Sequence, residues 1–157
     1  MSENLREWAP LPLRLILGIS FIYHGFPKVF SGADHQQFAG MLGSIGVPAR
    51  GLMAWVVGLV EVLGGVALII GAFVVIASAL LTINMLVAMF KVHLAAGFSF
   101  INVKGMGPDG PIFGLPGYEV NLLYIAGLLT LILAGAGALS VDKMRAKKSP
   151  YGEYLSK

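Results

Sequence analysis

Arg14, His24 and Lys28 interrupt one apolar run. Glu61 interrupts a second, Asn84, Lys91 and His93 lie in or at the end of a third, and Glu119 and Asn121 open a fourth. Charged and strongly polar groups are costly inside a membrane helix, so they turn toward protein or water and often carry function. The chemistry on offer is proton exchange and hydrogen-bond donation. A carboxylate can take or give a proton, histidine titrates near neutral pH, and the ammonium and carboxamide groups donate to oxygen. Glu61 and His24 are the candidate catalytic pair. His24, Lys28, Asn84, Lys91 and Glu119 are the candidate ligand-binding groups, and no metal site is assigned.

Helical spacing gathers these residues. Arg14, Leu17, Phe21, His24 and Lys28 recur at intervals of three and four and fall on one stripe. The face that carries Glu61 also carries Ala54, Gly58 and Gly65, small enough for a neighbouring helix to come close. Asn84, Ala88 and Lys91 share a face, whereas two residues of regular helix turn His93 about 200° away from Lys91. Structural readings stand beside the functional ones. Arg14 and Lys28 are close enough to helix ends to snorkel to headgroups. Glu61 is too deep for that and must be neutral, paired with a cation, or hydrogen-bonded to a group such as Asn84.

The elements that position them are membrane helices. Of the 157 residues 57% are hydrophobic and 12% charged, against about a quarter charged in a soluble domain. Apolar stretches run over residues 10–30, 51–93 and 118–139. A crossing takes about 20 residues, so the middle stretch is two helices, with Gly71 the best break. The expected fold is an all-α integral membrane four-helix bundle, with residues 1–142 as the transmembrane domain and 143–157 as a basic cytoplasmic tail. The first stretch lacks a small-residue cleavage site and carries charges, so it reads as a retained helix and not a signal peptide. Between the first two spans, Phe38, Met41, Leu42 and Ile45 predict a short amphipathic helix in the outer interface, capped by Asp34 and ended by Gly46 and Pro48. The Gly/Pro-rich segment 97–117 predicts an ordered outer loop folded over the bundle, with a turn at Pro108-Asp109-Gly110. The chain has no cysteine, which excludes disulfide, thiol-relay and cysteine-ligated metal chemistry.

The order of several short motifs resembles the DoxX family of small membrane proteins. Arg14 is followed by His24-Gly25-x-x-Lys28, then by Glu61-x-x-Gly64-Gly65-x-x-Leu68-x-x-Gly71. His93-x-x-x-Gly97-Phe98, Gly117-Tyr118-Glu119 and Gly135-x-Gly137-x-x-Ser140-x-Asp142 complete the set. The resemblance implies four transmembrane helices and a redox association. On that basis the expected function is a membrane subunit of a quinone-linked redox system, an oxidoreductase subunit that works with a redox protein partner. His24, Lys28 and Lys91 would donate to a quinone, Glu61 would relay protons, and Phe21 or Phe90 would line the ring. The alternatives are a non-catalytic membrane scaffold and, behind it, a small-solute transporter. The lipid bilayer is the expected partner, nucleic acid is not, and a homo-oligomer is left open.

Lys143, Arg145, Lys147, Lys148 and Lys157 follow the last span, facing only Asp142 and Glu153. Such clusters mark cytoplasmic ends, so both termini are expected in the cytoplasm of a bacterial cell and residues 31–50 and 95–118 outside. Because the chain has no cysteine, single cysteines at Ser44, Asp109 and Ser149 report this directly. An impermeant maleimide should label the first two in intact cells and the third only after lysis; the reverse pattern would overturn the orientation.

Overall fold

A computed structural model describes residues 3–148; Ser149, Glu153, Lys157 and the remainder of the basic tail lie outside the described residues. A short helix, α1 (Glu3–Trp8), leads into α2 (Pro10–Phe30). Pro10 opens α2 at a position where a missing N–H costs nothing. Then come α3 (Gly32–Ser44), α4 (Arg50–Ile70) and α5 (Val74–Ala88). A π turn (Met89–His93) and a 3-10 turn (Leu94–Ala96) continue α5. Strands β1 (Val103–Gly107) and β2 (Gly110–Phe113) precede α6 (Glu119–Ala134) and α7 (Val141–Lys148).

The fold is helical and membrane-like. Three spans are long and apolar enough to cross a bilayer: Leu5–Phe30, Arg50–Ile70 and Val74–Ala96. The fourth apolar helix, α6, has 16 residues, about 24 Å. It stops at Ala134 and not near Leu139 as expected, because Gly135 and Gly137 adopt positive φ of 74° and 67° and turn the chain out of helix. Large apolar side chains cover the outside: Ile16 is 60%, Leu63 63% and Leu133 89% exposed. A surface of this kind is stable only against lipid.

Helix α2 packs on α4, and α5 on α6. The contact between α2 and α4 is made by backbone. A Cβ at Gly18 would stand 2.7 Å from the Gly65 carbonyl oxygen, and one at Gly65 2.6 Å from that of Gly18. Without a hydrophobic drive between helices in lipid, such close van der Waals contact is what binds them. Leu17, Phe21, Leu68, Leu81, Leu128 and Leu131 fill the core between the helices.

Two expectations about connections need correction. Helix α3 is capped by Ser31, whose Oγ accepts from the Asp34 N–H, and not by Asp34 itself. The segment expected as a loop contains an antiparallel hairpin, with Val103 opposite Phe113 and Gly107 opposite Gly110. Its alternation is too short and too glycine-rich to read as strand from composition. The reversal at Gly71 is as expected: its φ is +71°, Ala72 N–H donates to Ala67 O, and Gly71 N–H donates to Leu68 O. These are the two bonds of a Schellman cap.

Arg14 departs furthest from expectation. It does not snorkel; it is 0% exposed. Its Nε donates to Leu68 O at 2.8 Å, Nη1 to Ala136 O and Ala138 O at 2.6 and 3.1 Å, and Nη2 to Ile69 O and Leu139 O at 3.0 and 3.2 Å. All five guanidinium N–H groups are spent on carbonyls. Those of Leu68 and Ile69 end α4, where the helix dipole is negative, so the cation needs no carboxylate there. Asp142 serves the opposite pole next door, accepting from Phe73 N–H at 2.8 Å and Val74 N–H at 2.9 Å at the start of α5. Ala138 N–H donates to Glu7 O, and Lys143 pairs with the Glu7 carboxylate, which ties the two ends of the described chain together.

Replacing Arg14 should therefore be severe even when charge is kept. Arg14→Lys offers three donors from one point to five dispersed acceptors, so stability should fall by about 3 kcal/mol or more. Unfolding in mixed detergent micelles would measure it, with Arg145→Lys as the reference. Equal midpoints for the two variants would mean that water serves these carbonyls as well as Arg14 does.

Candidate functional site

The end of the bundle opposite Arg14 contains a cavity of about 360 Å³. Its position follows from the helix contacts. Gly25 and Gly58 let α2 approach α4 so closely that a Cβ on Gly25 would stand 2.7 Å from Glu61 Cβ. Glu61 projects from mid-helix and is 4% exposed. Its Oε2 accepts from Lys28 Nζ at 2.5 Å and its Oε1 from Asn84 Nδ2 at 3.0 Å. Three helices thus meet at one carboxylate, with both oxygens engaged. A buried carboxylate survives only with such compensation.

The walls are assembled from every long element. Phe21, His24 and Lys28 line it from α2, Val57 and Glu61 from α4, Asn84, Met85 and Ala88 from α5, and Val120, Asn121 and Tyr124 from α6. Phe21 and Tyr124 stand edge to face, with centroids 5.4 Å apart. Helix α3 turns its apolar stripe inward: Phe38, Met41, Leu42 and Ile45 all line the cavity. The stripe expected to rest in the lipid interface therefore roofs the cavity. Lys28 Nζ lies 4.5 Å from the Phe38 ring centroid, a cation–π contact added to its ion pair.

The π turn changes what α5 presents. Leu94 N–H donates to Met89 O, five residues back. The wider turn brings Lys91 and His93 both to the cavity, although a regular helix would separate them. His93 Nδ1 lies 2.8 Å from Pro116 O. A carbonyl oxygen only accepts, so Nδ1 carries the proton and Nε2 of the neutral ring is an acceptor. Phe100, Pro116 and Gly117 of the 97–117 segment complete the wall. That segment is held down by Tyr118 N–H to Gly97 O and Glu119 N–H to Phe98 O.

Of the residues singled out from sequence, Glu61, His24, Lys28, Asn84 and Lys91 line one cavity. Glu119 does not; its Oε2 accepts from Phe100 N–H at 2.9 Å and anchors the loop instead. His24 reaches the cavity but stands exposed, because Gly25 beside it occupies the contact with α4. Lys28 and Asn84, not His24, are the partners of Glu61. Phe90, offered as a ring-lining residue, is 61% exposed and outside the cavity. The sequence reading did not assign His93, Tyr124 or Phe38 to the site. The spacing of Tyr124 three residues after Asn121 is the one signal that could have found it.

Removing the carboxylate strands two donors. Glu61→Leu should cost about 3 kcal/mol or more in detergent unfolding, because Lys28 is left charged and part-buried. Glu61→Gln, which keeps an acceptor for Asn84, should cost less. Asp109→Asn, at the exposed hairpin tip, should change stability by no more than about 0.5 kcal/mol. Equal tolerance of Glu61→Leu and Asp109→Asn would show that water supports the carboxylate.

Known proteins are similar to this chain over most of its length. An uncharacterized Haemophilus influenzae protein is 30% identical over 150 residues, covering 93% of this chain and 99% of its own. The Escherichia coli "Inner membrane protein YqjF" is 30% identical over 146 residues, 93% of this chain and 98% of its own. The Bacillus subtilis protein named "Putative oxidoreductase CatD" is 38% identical over 93 residues, 59% of this chain and 65% of its own. No solved structure matches. The sequence profile of the DoxX family matches residues 9–94, the stretch that carries Arg14, the Gly18–Gly65 and Gly25–Gly58 contacts and the Lys28–Glu61–Asn84 cluster. The chain belongs to the DoxX family of membrane proteins.

Proposed function

We propose that the chain is the membrane subunit of a quinone-linked redox system, which holds a quinone head in the cavity and exchanges protons with it while a redox protein partner handles the electrons. The observation that carries this reading is the combination in one 360 Å³ cavity of aromatic walls, a carboxylate–ammonium pair and donors. A volume of this order suits one small ligand. Phe21, Tyr124 and Phe38 offer flat apolar surface for a ring, and Lys91 and the histidines offer groups for its oxygens. The name of the Bacillus subtilis relative points the same way.

When bound, a quinone accepts two electrons and two protons on reduction. The residues of this chain manage the protons. Lys28 Nζ donates to Glu61 Oε2 at the cavity wall, so the pair can pass a proton inward, and the negative charge this leaves on Glu61 is neutralised when a proton is returned. His24 at the exposed rim is placed to return protons from water. Asn84 fixes the carboxylate by its Oε1 and cannot titrate. In this reading both termini face the cytoplasm, the membrane is the bacterial cytoplasmic membrane, and the cavity lies in its outer half.

A scaffold is the second reading, because a carboxylate with both oxygens engaged also describes a structural tie. Calorimetric titration of the purified protein with a short-tailed quinone separates the two. Binding should weaken about tenfold, or about 1.4 kcal/mol, in folded Glu61→Gln and by a lesser factor in His24→Ala. No binding by the parent, or unchanged affinity in both variants, leaves the scaffold.

A further inference from the structure

We infer that the cavity selects a ring bearing an oxyanion, an ionised hydroxyl or a carboxylate, over a neutral ring of the same size. This rests on the ligand-binding reading above and adds the charge of the ligand. Two ammonium groups and one carboxylate line the cavity. Glu61 is matched by Lys28 at 2.5 Å. Lys91 has no carboxylate partner among the described residues, since Glu119, the acid in the nearby loop, is turned away to Phe100 N–H. Lys91 is exposed at the edge of this largely apolar cavity, so one positive charge is left where an anionic group on a ring held by the apolar walls can meet it.

The backbone supplies the second observation. In a regular helix Lys91 and His93 would point about 200° apart. The π turn at Met89–His93 brings both to the same cavity. Such turns are rare and concentrate at functional sites. With Nδ1 of His93 committed to Pro116 O, its Nε2 remains to accept from a hydroxyl or, when protonated, to donate to a carbonyl. An ammonium for an oxyanion and an imidazole for a second oxygen line the same cavity, and Phe21 and Tyr124 supply the surface for the ring. A hydroxyquinone in its ionised form has this pattern; an aromatic carboxylate shares the anion but not the redox chemistry.

Three probes separate these cases in calorimetric titrations of the whole chain in a non-ionic detergent. They are 2-hydroxy-1,4-naphthoquinone, ionised at neutral pH; 1,4-naphthoquinone, neutral; and 2-naphthoate. The hydroxyquinone should bind at least about tenfold more tightly than the neutral quinone. Lys91→Met should reduce that preference below about twofold by weakening the hydroxyquinone far more than the neutral quinone, and Lys91→Arg should restore it. Equal affinity for the two quinones, or a preference that survives Lys91→Met, overturns the inference and leaves the quinone reading standing. Binding of 2-naphthoate alone, lost in Lys91→Met, upholds the anion and overturns the quinone. Failure of all three to bind overturns both.

Discussion

A single guanidinium organises one end of this protein. Five carbonyl oxygens from two segments distant in sequence point inward at Arg14. In the absence of water a membrane protein must satisfy every backbone group internally, and non-helical backbone at depth is tolerated only where protein serves it. The turn after α4 and the run 135–140 are such backbone. Strain collects around the same point: Phe73 and Leu139 hold positive φ of 52° and 48° without being glycine. Each costs on the order of 1–3 kcal/mol and persists because hydrogen bonds to Asp142 and Arg14 hold it. Gly71 belongs to the same knot, since a Cβ there would stand 2.5 Å from Arg14 Nη2.

With one end closed, the other can be hollow. The contact between α2 and α4 uses Gly18 and Gly65 near the closed end and Gly25 and Gly58 near the open one. Glu61 falls between them and the cavity. The carboxylate therefore meets Lys28 across a glycine contact, and the short reach is what brings ammonium and carboxylate together. Beyond that point α2, α5 and α6 are separated by the cavity, and α3 and the 97–117 segment cover it.

Periodicity made the helix faces legible. The stripe containing Leu17 and Phe21 is buried, as is the small-residue face of Ala54, Gly58 and Gly65 around Glu61. The break at Gly71 was legible from length. Arg14 was misread because distance from a helix end says nothing about acceptors 54 and 122 or more residues away. Lys91 and His93 were separated by an assumption of regular helix, and nothing local in Met89–His93 announces a π turn. Glu119 was grouped with the site by depth alone, whereas its partner is a backbone N–H nineteen residues earlier. Depth and period are properties of single helices; the misplacements of Arg14 and Glu119 concern groups that meet across elements.

The brevity of α6 bears on the surrounding lipid. Its 16 residues offer about 24 Å of apolar length, against about 31 Å for the 21 residues of α2 and of α4. If α6 crosses beside α2 and α4, a bilayer matched to those two is too thick for it, and each ångström of mismatch costs a fraction of a kcal/mol. Lipid bordering α6 must thin, by tilting its chains or by recruiting shorter ones. A crossing of that kind would dent the membrane along one flank of the protein.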